Sequence, residues 1–211
     1  MCGGQRRRGR HVVAGVLVAV LVLTGCTSGS NGNEPGPERQ DVTRGDVLEP
    51  RAAPLGVQIA SVAGQIPRRQ REQIRKRIAA TVSGYVQGAF LGDYPRTTYR
   101  GAFGDFTDSA RSRARRDLGL LTHADRGARY VGVTPRRQQV RVHAYAPRRR
   151  VLGATARLRL VLLIERDDET VQRVWVTGRL LLTRTRNGSF RVFGYDIRRT
   201  SSRPAVAGGG A

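Results

Sequence analysis

Few side chains in this sequence could do covalent or metal chemistry. The chain of 211 residues has two cysteines, Cys2 and Cys26, and three histidines. Two cysteines exclude a scaffold stapled by several disulfides and a cysteine-rich zinc site. The sequence also has no His-Glu-x-x-His helix, no glycine-rich phosphate loop and no serine nucleophile elbow. We therefore expect no cofactor and no metal site.

Residues 1–25 have the three-part organisation of a secretory signal peptide. Four arginines between Arg6 and Arg10 precede the apolar run Val12–Leu23, after which the sequence turns polar. Such a segment is removed from the mature protein. The alternative is an uncleaved membrane anchor, but a spanning helix needs about 20 apolar residues. The apolar run is shorter than that, so the pattern predicts a signal peptide.

The four residues Leu23-Thr24-Gly25-Cys26 resemble the lipobox of bacterial lipoproteins. The resemblance implies that signal cleavage follows Gly25, that Cys26 is diacylated on its sulfur, and that its new amino group is a further acylation site. Two or three acyl chains such as palmitate give stable anchoring, where one chain would be marginal. We therefore expect a protein attached through Cys26 to lipid on the extracytoplasmic face of the cell membrane.

After the expected lipidation site Cys26, the composition of the sequence up to residue 50 predicts a flexible acidic linker. The stretch is rich in Gly, Ser, Asn and Pro, and it carries five acidic residues against two arginines. Such a composition cannot bury enough apolar surface to fold. With four arginines in the signal, residues 51–211 carry a formal charge of +21 within the total of +22. The basic character therefore belongs to the predicted folded domain.

The positive charge is almost entirely arginine, because Lys76 is the only lysine. Two interpretations stay open, a solvated surface and attraction to an anionic partner. Outside the membrane that partner would be an anionic lipid or a cell-wall polymer. Nucleic acid is not expected, because the chain is exported, has no nucleic-acid motif and has only 6% aromatic residues.

Two helices are predicted before residue 127. Apolar residues recur at helical spacing from Gln70 to Leu91, and Gly92-Asp93 ends the pattern. A second helix is predicted from Thr107, as N-cap, to about Leu118. These segments place the helical part of the domain ahead of its strands.

Beyond residue 127 the apolar period changes to two, which indicates strands. Alternation predicts strands near residues 140–145, 155–165, 171–185 and 189–197, with a weaker one at residues 57–62. The turn signal Asn187-Gly188 predicts a hairpin in which residue 186 pairs with residue 189. That register places three pairs opposite each other: Leu182 with Phe193, Leu180 with Tyr195, and Arg179 with Asp196.

The hairpin register assigns residues to two faces of the sheet. The predicted core face contains Val174, Val176, Leu180, Leu182, Phe193, Tyr195 and Ile197. The other face mixes charge with apolar groups, a composition typical of an interface centre. Its alternative is a face covered by another strand or by the chain terminus. The residues of this candidate interface are Trp175, Leu181, Phe190, Arg159 and Arg179.

Helices followed by long antiparallel strands predict an α+β domain over residues 51–200, with a disordered tail at 201–211. We expect the helices to pack on one face of a curved sheet of about four strands. This order, with the helix ending Tyr85–Phe90 and the final Arg179–Ile197 hairpin, resembles the cystatin-like cone of the nuclear transport factor two-like superfamily. Tethered versions look like mammalian-cell-entry-associated proteins and conjugation-channel scaffolds of Gram-positive bacteria.

The resemblance implies where an enzyme of this kind would keep its acid–base groups, which is inside the cone. The candidates of suitable type are Asp105, His123, His143, Tyr145, Tyr195 and Asp196. No nucleophile–base pair can be assigned among them, so we expect no enzyme. The expected function is a non-catalytic binding or scaffold role in the envelope, with a protein partner or a second copy. The alternatives are a carrier of a small apolar ligand and a cone-type enzyme.

Overall fold

The order of elements along the chain follows the predicted one, with an additional strand at the carboxyl end. The structure is a computed structural model that describes residues 52–206. The signal peptide, Gly25, the lipidation site Cys26 and the linker to residue 50 lie outside these residues. The elements are β1 Gly56–Gly64, α1 Arg68–Phe90, α2 Asp108–Arg116, α3 Leu118–Leu121, β2 Tyr130–Ala146, β3 Gly153–Arg166, β4 Thr170–Arg184, β5 Phe190–Ser201 and β6 Ala205–Val206.

The strands form one open sheet in the order β1-β2-β3-β4-β5, with β6 paired to β4. Strands β2 to β5 are antiparallel neighbours, whereas β1 lies parallel to β2. The α+β class is confirmed, and the expectation of about four strands is wrong because six strands of the described residues form the sheet. Strand β1 corresponds to the weaker strand predicted at residues 57–62. Strand β6 was not predicted, because its two residues are too few to produce an alternating pattern.

Helix α1 forms where the sequence predicted it and supplies most of the helical side of the core. Its buried side chains are Ile74, Ile78, Thr81, Val82, Tyr85, Val86, Ala89 and Phe90. The ring of Tyr85 packs against Phe90, Phe103 and Phe106, with centroid distances of 5.7–6.5 Å. The Tyr85 hydroxyl donates a hydrogen bond to the Leu121 carbonyl at 2.9 Å. Aromatic rings therefore fill the space between the helix and the sheet.

Helix α2 begins after Thr107, as predicted, but the Thr107 side chain does not cap it. No hydrogen bond joins that hydroxyl to the helix, and Thr107 Oγ1 is buried without a partner among the described residues. Instead the Thr107 amide donates to the Val192 carbonyl at 2.9 Å, which ties the start of the helix to β5. The helix ends at Arg116 rather than Leu118, and a separate short helix follows.

The β4–β5 hairpin confirms half of the predicted register. Leu180 lies opposite Tyr195 and Arg179 opposite Asp196, as expected, but Leu182 lies opposite Val192. The loop has three residues between Thr185 and Ser189, with Gly188 at φ +85°, which is a common three-residue hairpin geometry. This loop shifts the pairing by one residue near the turn, and a β-bulge at Phe193 restores it.

Because of the bulge, three side chains near the turn lie on the face opposite to the one that the predicted register gave them. Phe190 and Val192 are buried in the core, whereas Phe193 is 45% exposed. The predictions that Phe193 belongs to the core and that Phe190 belongs to the candidate interface are therefore wrong. A shift of one residue in register moves a side chain to the other face of a sheet, and the bulge confines that shift to the residues before Gly194.

The segment after residue 200 is more ordered than the sequence suggested. Strand β5 continues to Ser201, and Val206 and Ala205 pair with Thr170 and Val171 of β4. The expectation of a disordered tail is therefore wrong for residues 201–206. Residues 207–211 lie outside the described part of the chain. None of the described helices is long and apolar enough to cross a bilayer.

Candidate anion-binding site on the open face of the sheet

The sheet has one face against α1 and one face that no described helix covers, which we call the open face. Residues alternate between the two faces, so Leu160 and Val176 point into the core and their neighbours point outward. Four of the five residues of the candidate interface lie on the open face, namely Arg159, Arg179, Trp175 and Leu181. The fifth, Phe190, is in the core.

Arginines occupy the centre of the open face in neighbouring strands. Arg141 of β2 lies opposite Arg157 of β3, and Arg157 lies opposite Arg179 of β4. Arg159 lies two residues along β3 on the same face, opposite Thr177. We call Arg141, Arg157, Arg159 and Arg179 the arginine ladder. Adjacent strands are about 4.8 Å apart, so the four guanidinium groups share one small area.

Carboxylates do not neutralise the arginine ladder. Arg179 Nε lies 3.4 Å from Asp196 Oδ2 in a solvent-exposed ion pair. In the part of the chain that the structure describes, the other three have no carboxylate within 4.0 Å. A surface hollow of about 610 Å³ lies among the four side chains. The hollow is therefore lined by several positive charges and one negative charge.

Several other arginines of the domain have internal structural roles. The Arg111 guanidinium donates to the carbonyls of Phe103, Gly104 and Phe106 at 3.0–3.1 Å. Arg199 donates to the Thr122 carbonyl and pairs with a carboxylate of the same loop. These side chains stabilise loops near the helices. Within residues 52–206 the side chains of the arginine ladder make no such internal contact, apart from the Arg179 ion pair.

Apolar side chains flank the arginine ladder at both ends of the open face. Trp175 lies opposite Val161 on one side, and both are half-buried. On the other side Tyr145 is 58% exposed and Phe193 is 45% exposed. Phe193 and Leu181 line a second surface hollow with Tyr145. Along the strands, the open face thus has an apolar zone, then the strongly basic arginine ladder, and then a second apolar zone.

The structure brings together one pair that the sequence did not reveal, Ser61 and His143. They are paired residues of parallel strands β1 and β2, and Ser61 Oγ lies 2.8 Å from His143 Nδ1. A serine is activated when its base is held in place by a third group. Among the described residues no carboxylate lies within 4.0 Å of His143. The pair is therefore an exposed hydrogen bond at the edge of the open face.

His123 lies on the other side of the sheet, fully buried among aromatic rings. Its ring contacts Phe90 and Tyr130 at centroid distances of 5.2 Å, and its Nδ1 lies 3.0 Å from the Tyr94 hydroxyl. Burial lowers the pKa of His123 to about 3, and the positive charge of Arg199 adds to the effect. Its Nε2 has no partner among the described residues. His123 therefore stays neutral at ordinary pH and packs as part of the core.

The remaining acid–base candidates do not converge. Tyr195 lies on the core side, and its hydroxyl donates to Asp117 Oδ2 at 2.7 Å. Burial and that hydrogen bond raise the pKa of Tyr195 to about 12. Asp196 pairs with Arg179 on the open face, while Asp105 is exposed in the loop before α2. The predicted candidates are thus distributed over both faces and a loop.

The described residues contain no group of three or more His, Cys, Asp or Glu side chains suited to holding a metal ion. Comparison with protein-family models, with curated proteins and with solved structures finds no match.

The arginine ladder is the feature of the described domain that the sequence predicted only in part. Alternation along the sequence predicted that Arg157, Arg159 and Arg179 share this face, whereas the alignment of Arg141 with Arg157 depended on the β2–β3 register.

Proposed function

We propose that the protein is a lipid-anchored extracytoplasmic lipoprotein whose α+β domain has a non-catalytic binding role in the cell envelope. The observation that carries the binding role is the arginine ladder on a sheet face that no described element covers. The lipobox at Gly25-Cys26 supports the anchor and its location. The partners in this proposal are membrane lipid and an anionic or protein component of the envelope.

The packing of the domain's interior favours a function in which ligands bind at the surface, and it disfavours a carrier function that needs an internal pocket. A carrier of a small apolar ligand would need space between α1 and the sheet. Tyr85, Phe90, Phe103 and Phe106 occupy that region and are each at most 3% exposed. The binding surface in this proposal is therefore the open face rather than the interior.

We also propose that the described domain is a cystatin-like cone. The antiparallel meander of β2 to β5 and the long helix α1 packed on one face support this arrangement. The parallel strand β1, predicted as a weaker strand at residues 57–62, and the short strand β6 extend this four-strand arrangement. In this proposal the cone is a rigid support that presents the open face.

The experiment that tests this function compares the natural chain with C26A in cells. Membrane fractionation after a wash in high salt, which releases protein held only by surface charge, locates each protein, and mild crosslinking in membranes identifies what co-purifies. The natural chain is expected in the membrane fraction with crosslinked partners, whereas C26A is expected to lose both. An unchanged distribution of C26A between fractions would overturn the lipid anchor. Unchanged crosslinks after W175E/L181E would overturn the open face as the binding surface.

A further inference from the structure

We propose that the arginine ladder binds the phosphate groups of anionic phospholipids, so that the open face lies against the membrane leaflet. The location of this contact in the cell rests on the proposed lipid anchor. The binding itself is a property of the described domain and can be measured without the anchor.

The arrangement of charge within the sheet favours binding of an anion. Arg141, Arg157 and Arg179 occupy directly opposed positions on three neighbouring strands. Like charges directly opposite each other destabilise a sheet. Only one carboxylate, that of Asp196, lies within 4.0 Å of the ladder among the described residues. An anionic ligand that enters the hollow removes this repulsion, so binding and sheet stability act in the same direction.

The chemistry of the guanidinium group favours phosphate as the anion. Arginine presents planar N–H donors that match two oxygens of a phosphate, whereas lysine is a point charge. The ladder places four such groups around a hollow of about 610 Å³. Adjacent strands hold the groups side by side, which allows one phosphate to contact two arginines. The geometry therefore suits phosphate esters better than a diffuse negative surface.

The apolar side chains at both ends of the ladder favour a lipid leaflet over a soluble phosphate polymer as the binding partner. Trp175 with Val161 lies at one end, and Tyr145 with Phe193 at the other. Tryptophan and tyrosine are favoured at the level of lipid headgroups, where an apolar ring and a polar edge are both accommodated. A phosphate polymer would contact the arginines and leave these side chains in water.

The test uses the chain from residue 26 onward with C26S, so that no acyl chain contributes to binding. Co-sedimentation is measured with vesicles of phosphatidylcholine alone and with vesicles containing phosphatidylglycerol. Each basic residue at an anionic surface contributes roughly fivefold in affinity. R141Q/R157Q/R179Q is therefore expected to weaken binding to the anionic vesicles by about 100-fold.

The matched control removes the same charge from the opposite layer. R68Q/R69Q/R71Q changes three exposed arginines of α1. Because attraction falls off within about 10 Å, the control is expected to bind anionic vesicles nearly as well as the unsubstituted chain. Equal losses in the two variants would overturn the assignment to the open face. Binding of the C26S chain to neutral vesicles as strongly as to anionic ones would overturn it as well.

A conservative variant separates phosphate recognition from charge alone. R141K/R157K/R179K keeps the net charge but loses the paired donors, and its binding to anionic vesicles is expected to fall by about tenfold. Full binding by the lysine variant would overturn guanidinium recognition of phosphate. Thermal unfolding of each variant checks that all remain folded.

Trp175 is the only tryptophan of the chain, so its fluorescence reports directly on the open face. On anionic vesicles its emission is expected to shift to shorter wavelength and to be quenched by lipids that carry a quencher near the headgroup. Binding that leaves Trp175 emission unchanged would place the contact elsewhere and overturn the proposal. Binding to soluble polyphosphate without binding to vesicles would also overturn it. Either failure leaves acylation of Cys26, the test of the anchor, unaffected.

Discussion

Arg157 lies directly opposite Arg179 on neighbouring strands of the open face, and Arg141 lies opposite Arg157 on its other side. Only Arg179 has a carboxylate partner within 4.0 Å in the described part of the chain. Cross-strand pairs are the unit of sheet stabilisation, and opposed like charges weaken it. This arrangement disfavours the folded sheet in the absence of a ligand, which is the cost expected if the ladder binds anions as proposed.

Replacing the central arginine of the ladder should stabilise the domain. R157T removes repulsion from both neighbours and is expected to raise the free energy of unfolding by about 0.5 kcal/mol at low salt. The matched control is R159T, because Arg159 lies opposite Gln139 and Thr177 and has no arginine directly across from it. Urea unfolding at low and high salt measures the difference. A less stable R157T at low salt would contradict the repulsion.

The bulge at Phe193 makes opposite predictions for two phenylalanines of one strand. F190A empties a site that is 2% exposed and is expected to cost about 3–5 kcal/mol in the free energy of unfolding. F193A changes a side chain that is 45% exposed and should cost less than about 1 kcal/mol. Chemical denaturation of both variants tests the register. Equal losses would indicate that the pairing lacks the bulge.

A glycine beneath the arginine ladder should resist substitution. Gly178 has φ +140°, and a Cβ atom added there would overlap the Asp196 carbonyl oxygen of the neighbouring strand. G178A is therefore expected to lower the free energy of unfolding by roughly 2–3 kcal/mol. Gly101, where an added Cβ would meet nothing within 4 Å, supplies the control G101A. A thermal shift of similar size in both variants would count against strain at Gly178.

The buried His123 predicts how stability depends on acid. Its pKa is about 3 in the folded protein and about 6.5 in an unfolded chain. The unfolded state therefore binds a proton first as the pH falls below about 6.5, and stability decreases between that pH and about 3 at up to about 1.4 kcal/mol per pH unit.

The variant H123F removes that titration while keeping a ring among Phe90, Tyr94 and Tyr130. In H123F, the part of the pH dependence of the free energy of unfolding that is due to residue 123 should disappear. H143F is the matched control, because it removes an exposed imidazole instead. Unfolding free energies measured between pH 4 and 7 decide the point, and an identical slope for H123F and the unsubstituted chain would contradict it.

The sequence predicted the elements whose pattern of apolar residues repeats over many positions, and it missed features that depend on a single residue. Alternation located β2 to β5 because each strand has one buried face, and helical spacing located α1 because Tyr85 and its neighbours repeat over several turns. The register beyond Gly194 was predictable from the turn, but the bulge was not, because one extra residue leaves no periodic trace. Phe190 was misplaced for that reason alone.

The arginine ladder illustrates the same limit for the candidate site. Arg157 and Arg159 alternate with Ala156 and Leu158, so their common face could be predicted. Their alignment with Arg141 depends on the β2–β3 register and on an irregularity near Pro135, which local sequence does not determine. The pair Ser61–His143 was likewise hidden, because parallel pairing joins strands 82 residues apart.

The central claim is that this basic domain is attached to a membrane through an acylated Cys26, and mass spectrometry of the amino-terminal peptide tests it most directly. The protein is extracted from membranes of the producing cell with detergent and digested. The account predicts a first residue of Cys26 whose mass is increased by a diacylglyceryl group, with no peptide from residues 1–25. An amino-terminal peptide that begins before residue 26, or an unmodified Cys26 thiol, would contradict the account.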